Sequence, residues 1–218
     1  SSETADGMRT EVWEPEQVVA RSWAVGPFTS AVHHTGDRRI RVFRLGGRDG
    51  DGAKTQAASV AEAIAGLEPH FGSFPYQDFA VVEVPDSSVT WTASSQQGFI
   101  LAKSACFRHG RNLPLFAHAS SHAWWGNLVG ERGPGGILCS ESLAQYGAAL
   151  AIEALEGREA MTKFLRFSRG GYSPLQCARG YFELMRRGHD KPLAQLGSGG
   201  WQHDLSDAKG HWVFHMLR

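Results

Sequence analysis

Apolar and polar positions change period near the middle of the chain. Over Arg39-Ile40-Arg41-Val42-Phe43 they alternate one by one, the pattern of a strand with one face buried. Residues 22–25 and 29–32 are shorter β-type runs before it, and 77–85 and 98–102 read as further strands. Between these, Val60, Ala63, Ile64 and Leu67 recur at three- and four-residue intervals, which predicts a helix over 56–71. The glycine-rich run 46–52 reads as a turn. Beyond residue 112 helical spacing takes over. It predicts helices over 113–129 (with Pro114 in the first turn), over 141–155, and over about 159–168, 174–187 and 208–218. Strands first and helices afterwards is an α+β arrangement, a small mixed sheet followed by a helical lobe. The expected division is a polar, flexible lead-in over 1–20, then one domain over 21–218, β-rich to 105 and helical from 112.

Composition narrows the classes. The 218 residues are ample for one core, and 42% apolar with 20% charged residues is a globular balance. Lys+Arg and Asp+Glu are both 22, so the formal net charge is zero. That removes the global electrostatic argument for nucleic acid as a partner. Three widely spaced cysteines, Cys106, Cys139 and Cys177, do not form a disulfide framework. No stretch approaches the roughly 20 apolar residues that span a bilayer. A soluble domain is expected, in the cytoplasm or tethered to a membrane protein, and these residues do not choose between the two.

His118 and His122 stand four apart in an apolar helical stretch, so both imidazoles fall on one helix face and can reach one ion. With 10 histidines in 218 residues, roughly 0.4 such pairs arise by chance, and His211 and His215 repeat the spacing. Glu141 distinguishes the first pair. It follows His122 by 19 positions, leaving 18 residues between them, and opens the next helical stretch. Two histidines and a carboxylate form a donor set suited to one zinc ion with an open position.

The line from His118 through Trp124-Trp125-Gly126-Asn127-Leu128-Val129 to Ser140-Glu141-Ser142-Leu143-Ala144-Gln145-Tyr146 resembles the aminopeptidase N family of zinc metallopeptidases. That family carries His-Glu-x-x-His, an 18-residue gap and a third-ligand Glu. Phe71–Tyr76 is similar to its Phe-Gly-x-x-Tyr-Pro segment, and Lys209–Leu217 to its Lys-Gly helix, on which His211 and His215 serve packing. The resemblance runs from about residue 22 to 218. It implies a thermolysin-like (gluzincin) catalytic domain holding one Zn2+ on His118, His122 and Glu141. It also implies a peptide or small-molecule substrate, and neighbouring domains in a longer protein.

Three departures bear on activity. Ala119 stands where the family has its general base, and neither Ser120 nor Ser121 replaces a carboxylate; whether alanine here is engineered or natural is open. Asp207 stands where a family Tyr donates to the oxyanion, and a carboxylate there repels developing negative charge. Asp207 acting as a base, or Ser206 or Asp207 capping a helix, are both open readings. Ser94, Ser95 and Gln96 occupy the family's amine-binding segment, which here has no carboxylate, although an edge strand there still offers backbone hydrogen bonds to a peptide. The resemblance therefore implies metal-dependent peptide or amide hydrolysis if a base is supplied. The alternatives are a pseudopeptidase that binds metal and a peptide or partner, or a zinc enzyme turned to a non-peptide substrate. Trp124 and Trp125 read as core, Cys139 as a buried small hydrophobe, and His33-His34 as an exposed turn between strands.

Overall fold

The computed structural model describes residues 2–5, 8–11, 22–46, 50–89, 91–108, 110–167 and 177–218. Strands β1 (Ser2–Ala5) and β2 (Met8–Glu11) form an antiparallel pair inside the stretch read as a loose lead-in; residues 12–21 lie outside the described set. The main sheet has five strands: β3 (Phe28–Thr35), β4 (Arg38–Leu45), β5 (Asp78–Val84), β6 (Ala93–Gln96) and β7 (Phe99–Lys103). Their spatial order is β3-β4-β5-β7-β6. The β3–β4 and β6–β7 pairs are antiparallel, while β4–β5 and β5–β7 are parallel, so the sheet is mixed.

Burial explains which run became which strand. β5 is central, with a parallel neighbour on each side, and reads almost continuously apolar as a strand covered on both faces does. β4 alternates and buries Ile40 and Val42. Residues 22–25 do not form a strand: Trp23 and Val25 are exposed and have no ladder partner. His33 and His34 lie within β3 rather than at a turn.

Helix α1 (Gly50–Phe71) packs on β3 and β4 and begins earlier than its apolar stripe indicates. The two glycines in its first turn resemble a turn signal and cost about 1 kcal/mol each in a helix interior. Ala53 and Ala57 are buried and extend the core stripe toward them, so packing outweighs propensity. Residues 47–49 of the expected turn lie outside the described set. The helical lobe comprises α2 (Leu113–Ser121), α3 (Glu141–Glu156), α4 (Arg158–Phe167), α5 (Ala178–Arg186) and α6 (Trp201–Leu217). The expected start of α5 at 174–176 and the end of α4 at 168 fall outside the described residues.

Two expected boundaries move. α2 stops at Ser121, with His122 as its C-cap in the right-handed region, and residues 122–129 turn back through Gly126 at φ 105°. α6 starts seven residues before the expected 208, after Gly200 at φ 57°. Asp207 is thus in the helix interior, not at its cap, and it is fully buried. All three cysteines are free, and Cys139 is exposed rather than buried.

Helix α3 is the axis of the lobe and touches α1, α2, α4 and α6. Two glycines set its distances. A Cβ on Gly147 would stand 2.3 Å from the Ser121 hydroxyl of α2, and one on Gly210 of α6 would stand 2.1 Å from the Ser142 hydroxyl of α3. Ser142 Oγ donates to Ser206 O at 2.6 Å across the same α3–α6 contact.

A buried ion pair ties the sheet together. Arg44 Nε donates to Glu83 Oε2 at 2.7 Å, the Leu45 N–H donates to the same oxygen at 3.1 Å, and the Arg44 guanidinium lies 4.7 Å over the Phe107 ring. Burial alone would raise the Glu83 carboxyl, but the Arg44 hydrogen bond and charge, with hydrogen bonds from Ser104 and Leu45, hold it below the usual 4.5.

Glu83→Gln leaves the guanidinium buried without its counter-charge and is expected to destabilise by about 3–5 kcal/mol at neutral pH. Because the folded pKa is depressed, the pair's contribution is complete above the ordinary carboxylate range and drains as pH falls toward the folded value. Urea midpoints of wild type and Glu83→Gln at pH 7 and pH 3 test this, with the gap expected to narrow at acid pH. Gly210→Ala is expected to cost about 1–3 kcal/mol by overpacking the α3–α6 contact, and Ser142→Gly added to it should recover part of the loss in thermal melts.

Candidate metal centre

The two histidines reach the cleft because α2 remains helical up to its C-cap. Their rings cross at 77°, with Nε2 atoms 3.1 Å apart. Glu141, first residue of α3, sets Oε2 at 3.4 Å from each of these nitrogens. Tetrahedral ligands at about 2.1 Å from a zinc ion stand about 3.4 Å from one another, so the trio matches that spacing.

The far sides of the rings fix which nitrogens face inward. His118 Nδ1 lies 2.9 Å from Gln145 Oε1 and His122 Nδ1 lies 3.0 Å from Trp125 O. Both partners are oxygens, so each Nδ1 carries the proton and donates. In the neutral, metal-binding form of the rings each Nε2 then presents a lone pair, the two atoms 3.1 Å apart and both facing the Glu141 carboxylate. This is a donor set that fits zinc.

The charges respond to the burial. Burial pushes the His118 imidazolium down, the Glu141 hydrogen bond raising it only in part. At His122 burial also pushes down, but the Glu141 charge and hydrogen bond outweigh it and leave the group above the usual 6.5. Glu141 is held well below the carboxylate range: burial opposes this, and the His122 charge and the two imidazole hydrogen bonds overcome it.

A cavity of about 730 Å3 opens over the trio. Ala119 lines it with a methyl group. Ser120 and Ser121 are fully buried away from it, and Ser121 Oγ donates to Ala117 O at 2.8 Å. Ser94 and Ser95 of β6 line the opposite wall. Gln96 does not. Its side chain accepts from Ser22 Oγ and donates to Ser94 Oγ, both at 2.8 Å, and its carbonyl accepts from Asn127 Nδ2 at 3.3 Å. Asn127 thereby ties the turn after α2 to the edge strand.

Asp207 lies behind the cleft rather than on its wall. In front of it stands His203, which sequence reading missed. His203 Nε2 is 3.9 Å from Glu141 Oε2 and 3.8 Å from Asp207 Oδ2, and its ring stacks on Trp91 at 4.5 Å between centroids. The four-residue spacing from His203 to Asp207 was its one available signal, hidden by a helix start placed too late. His211 is fully buried, its pKa pushed down to about 4 by burial, and Nδ1 donates to the Asp207 carbonyl. His215 packs against Trp212 and Tyr146.

No protein-family model and no curated protein matches the chain by sequence. Solved structures do match in three dimensions. Native yeast LTA4 hydrolase is 17% identical with a TM-score of 0.65, covering 87% of this chain and 30% of that one. An M1 zinc metallopeptidase from Deinococcus radiodurans, a glutamate-to-alanine mutant, is 18% identical with a TM-score of 0.59, covering 88% and 41%. A two-domain M1 zinc metallopeptidase mutant bound to L-arginine is 18% identical at 0.60, covering 88% and 40%. The chain has the M1 peptidase domain fold. It spans 30–41% of the length of these matched chains. At such identity the likeness establishes fold and carries no residue's role across.

If this trio holds zinc, His122→Ala should abolish zinc retention on dialysis. Gln145→Leu keeps the packing volume but removes the acceptor at His118 Nδ1, and should weaken zinc binding about 10–100-fold. Competition with a chromogenic chelator measures both.

Proposed function

We propose that this domain is a zinc-binding, thermolysin-like peptidase domain that acts on a peptide or amide substrate, with zinc held by His118, His122 and Glu141. The observation that carries the reading is the convergence of two imidazole Nε2 atoms and a carboxylate at 3.1–3.4 Å, open to a cavity walled by an edge strand. Bound zinc polarises a carbonyl and lowers the pKa of water.

The chain's own groups divide the remaining work. Gln145 and the Trp125 carbonyl orient the imidazoles. Among the described residues β6 has a ladder partner on one side only, so its outer edge, apart from the Gln96 carbonyl held by Asn127, offers backbone groups to an extended peptide. The amine-binding carboxylate of aminopeptidases has no counterpart over residues 92–96, so an internal peptide or amide suits this wall better than a free N-terminus. The methyl of Ala119 holds no proton, and a positioned base there is worth about 10²–10⁴ in rate. That same methyl favours a second reading, a pseudopeptidase that retains metal and peptide without turnover. Among the described residues no helix is long and apolar enough to cross a membrane, and neighbouring domains of a longer protein remain part of this proposal.

The test is zinc-loaded wild type, His122→Ala and Ala119→Glu with internally quenched peptides and aminoacyl anilides. Slow hydrolysis by wild type is expected, absent in His122→Ala and faster by on the order of 10² in Ala119→Glu. Zinc-loaded protein that binds peptide but cleaves nothing in any variant would establish the second reading. Failure of wild type to retain zinc would remove both.

A further inference from the structure

The cleft carries more negative charge than one zinc ion balances. Glu131, Glu141 and Asp204 line it, Asp207 is fully buried beside it, and no lysine or arginine lines it among the described residues. Glu131 is anchored toward the site by accepting from Ser140 Oγ at 2.8 Å. Three carboxylates on the wall and a fourth buried behind it stand against the two positive charges of one divalent ion.

Glu141 belongs to two convergent groups at once. Its Oε2 stands 3.4 Å from the nitrogens of His118 and His122 and, on another side, 3.9 Å from His203 Nε2. Ligand atoms of Glu141, His203 and Asp207 all lie within 4.8 Å of one another. His203 and Asp207 are four apart on α6, the spacing that also brings His118 and His122 together. The ring of His203 is held by its stack on Trp91, and α6 is held against α3 by the Gly210–Ser142 approach.

We propose that Glu141, His203 and Asp207 form a second divalent-cation site, joined to the first through the Glu141 carboxylate. The proposal rests on reading His118, His122 and Glu141 as the first metal site. Imidazole with two carboxylates suits zinc or manganese. His203 stands 3.8–3.9 Å from the two carboxylates, wider than the spacings of the first trio, so a second ion would bind more weakly. Paired divalent ions sit about 3.5–4 Å apart, a distance one bridging carboxylate spans, and they activate water and clamp a reacting oxygen together. Two departures in this chain then have one cause. A carboxylate at position 207, unfavourable as an oxyanion donor, is suitable as a ligand, and a second cation would supply water activation where Ala119 has no base.

Metal stoichiometry tests this without reference to activity. Wild type dialysed against rising free zinc, with zinc counted by mass spectrometry, is expected to take up two equivalents per chain, one tight and one weaker. His203→Ala and the near-isosteric Asp207→Asn should each retain only the tight equivalent, and cobalt titrations should lose their second visible-absorption phase. One equivalent in wild type, unchanged by both variants, overturns the second site and leaves the first intact. Two equivalents retained in both variants also overturn it. No equivalent in wild type overturns the first site as well. If Asp207→Asn fails to fold by circular dichroism, His203→Ala decides alone, since its ring lies on the cleft wall.

Discussion

Everything at the centre depends on where α3 sits. Its first residue supplies the carboxylate and its fifth orients an imidazole, so the position of one helix fixes both the charge and the tautomer of the site. That position is set by contacts too close for side chains. Gly147 admits the Ser121 hydroxyl of α2, and Gly210 admits Ser142 against α6. Close packing tolerates few voids and little overlap, so backbone contacts at these two points transmit the placement of α2 and α6 directly to Glu141. The cleft is the gap that remains when three helices meet around one axis and an edge strand closes the fourth side.

The electrostatics follow from that packing. A carboxylate and two imidazoles buried together would each be costly alone. Together they lower Glu141 and raise His122, and both Nε2 atoms face the carboxylate, an arrangement that suits a cation. The same logic extends across Glu141 to α6, where His203 and Asp207 add a further imidazole and a buried carboxylate. Ala119 sits among these groups and presents only a methyl to the cavity.

Much of the fold was legible because the relevant signals are local. Alternation marked β4, the continuous apolar run marked β5, and the three-four spacing marked the core of α1. Boundaries were less legible where packing overrode propensity. The glycines of the first turn of α1 read as a turn, and the apolar run after His122 read as more helix although Gly126 turns it back. Asp207 after Ser206 resembled a cap because nothing local reveals that residues 201–206 already wind into the helix. The histidine pair and Glu141 stood out because two ligands share one helix and the third lies at a recognisable distance. His203 did not, because its partners, Trp91 and Glu141, lie 112 and 62 residues away.

By itself the sequence determined which residues can share a helix or strand face, since residue period and backbone geometry are local: His118 with His122, Val60 with Ala63, Ile64 and Leu67, and Ile40 with Val42. Only the tertiary structure decided that His203 and Asp207 share a face of α6, and that this pair and the His118–His122 pair converge on one carboxylate. That outcome depends on how closely α2 and α6 approach α3, and the approach is decided by two missing Cβ atoms and the hydroxyls that fill their places.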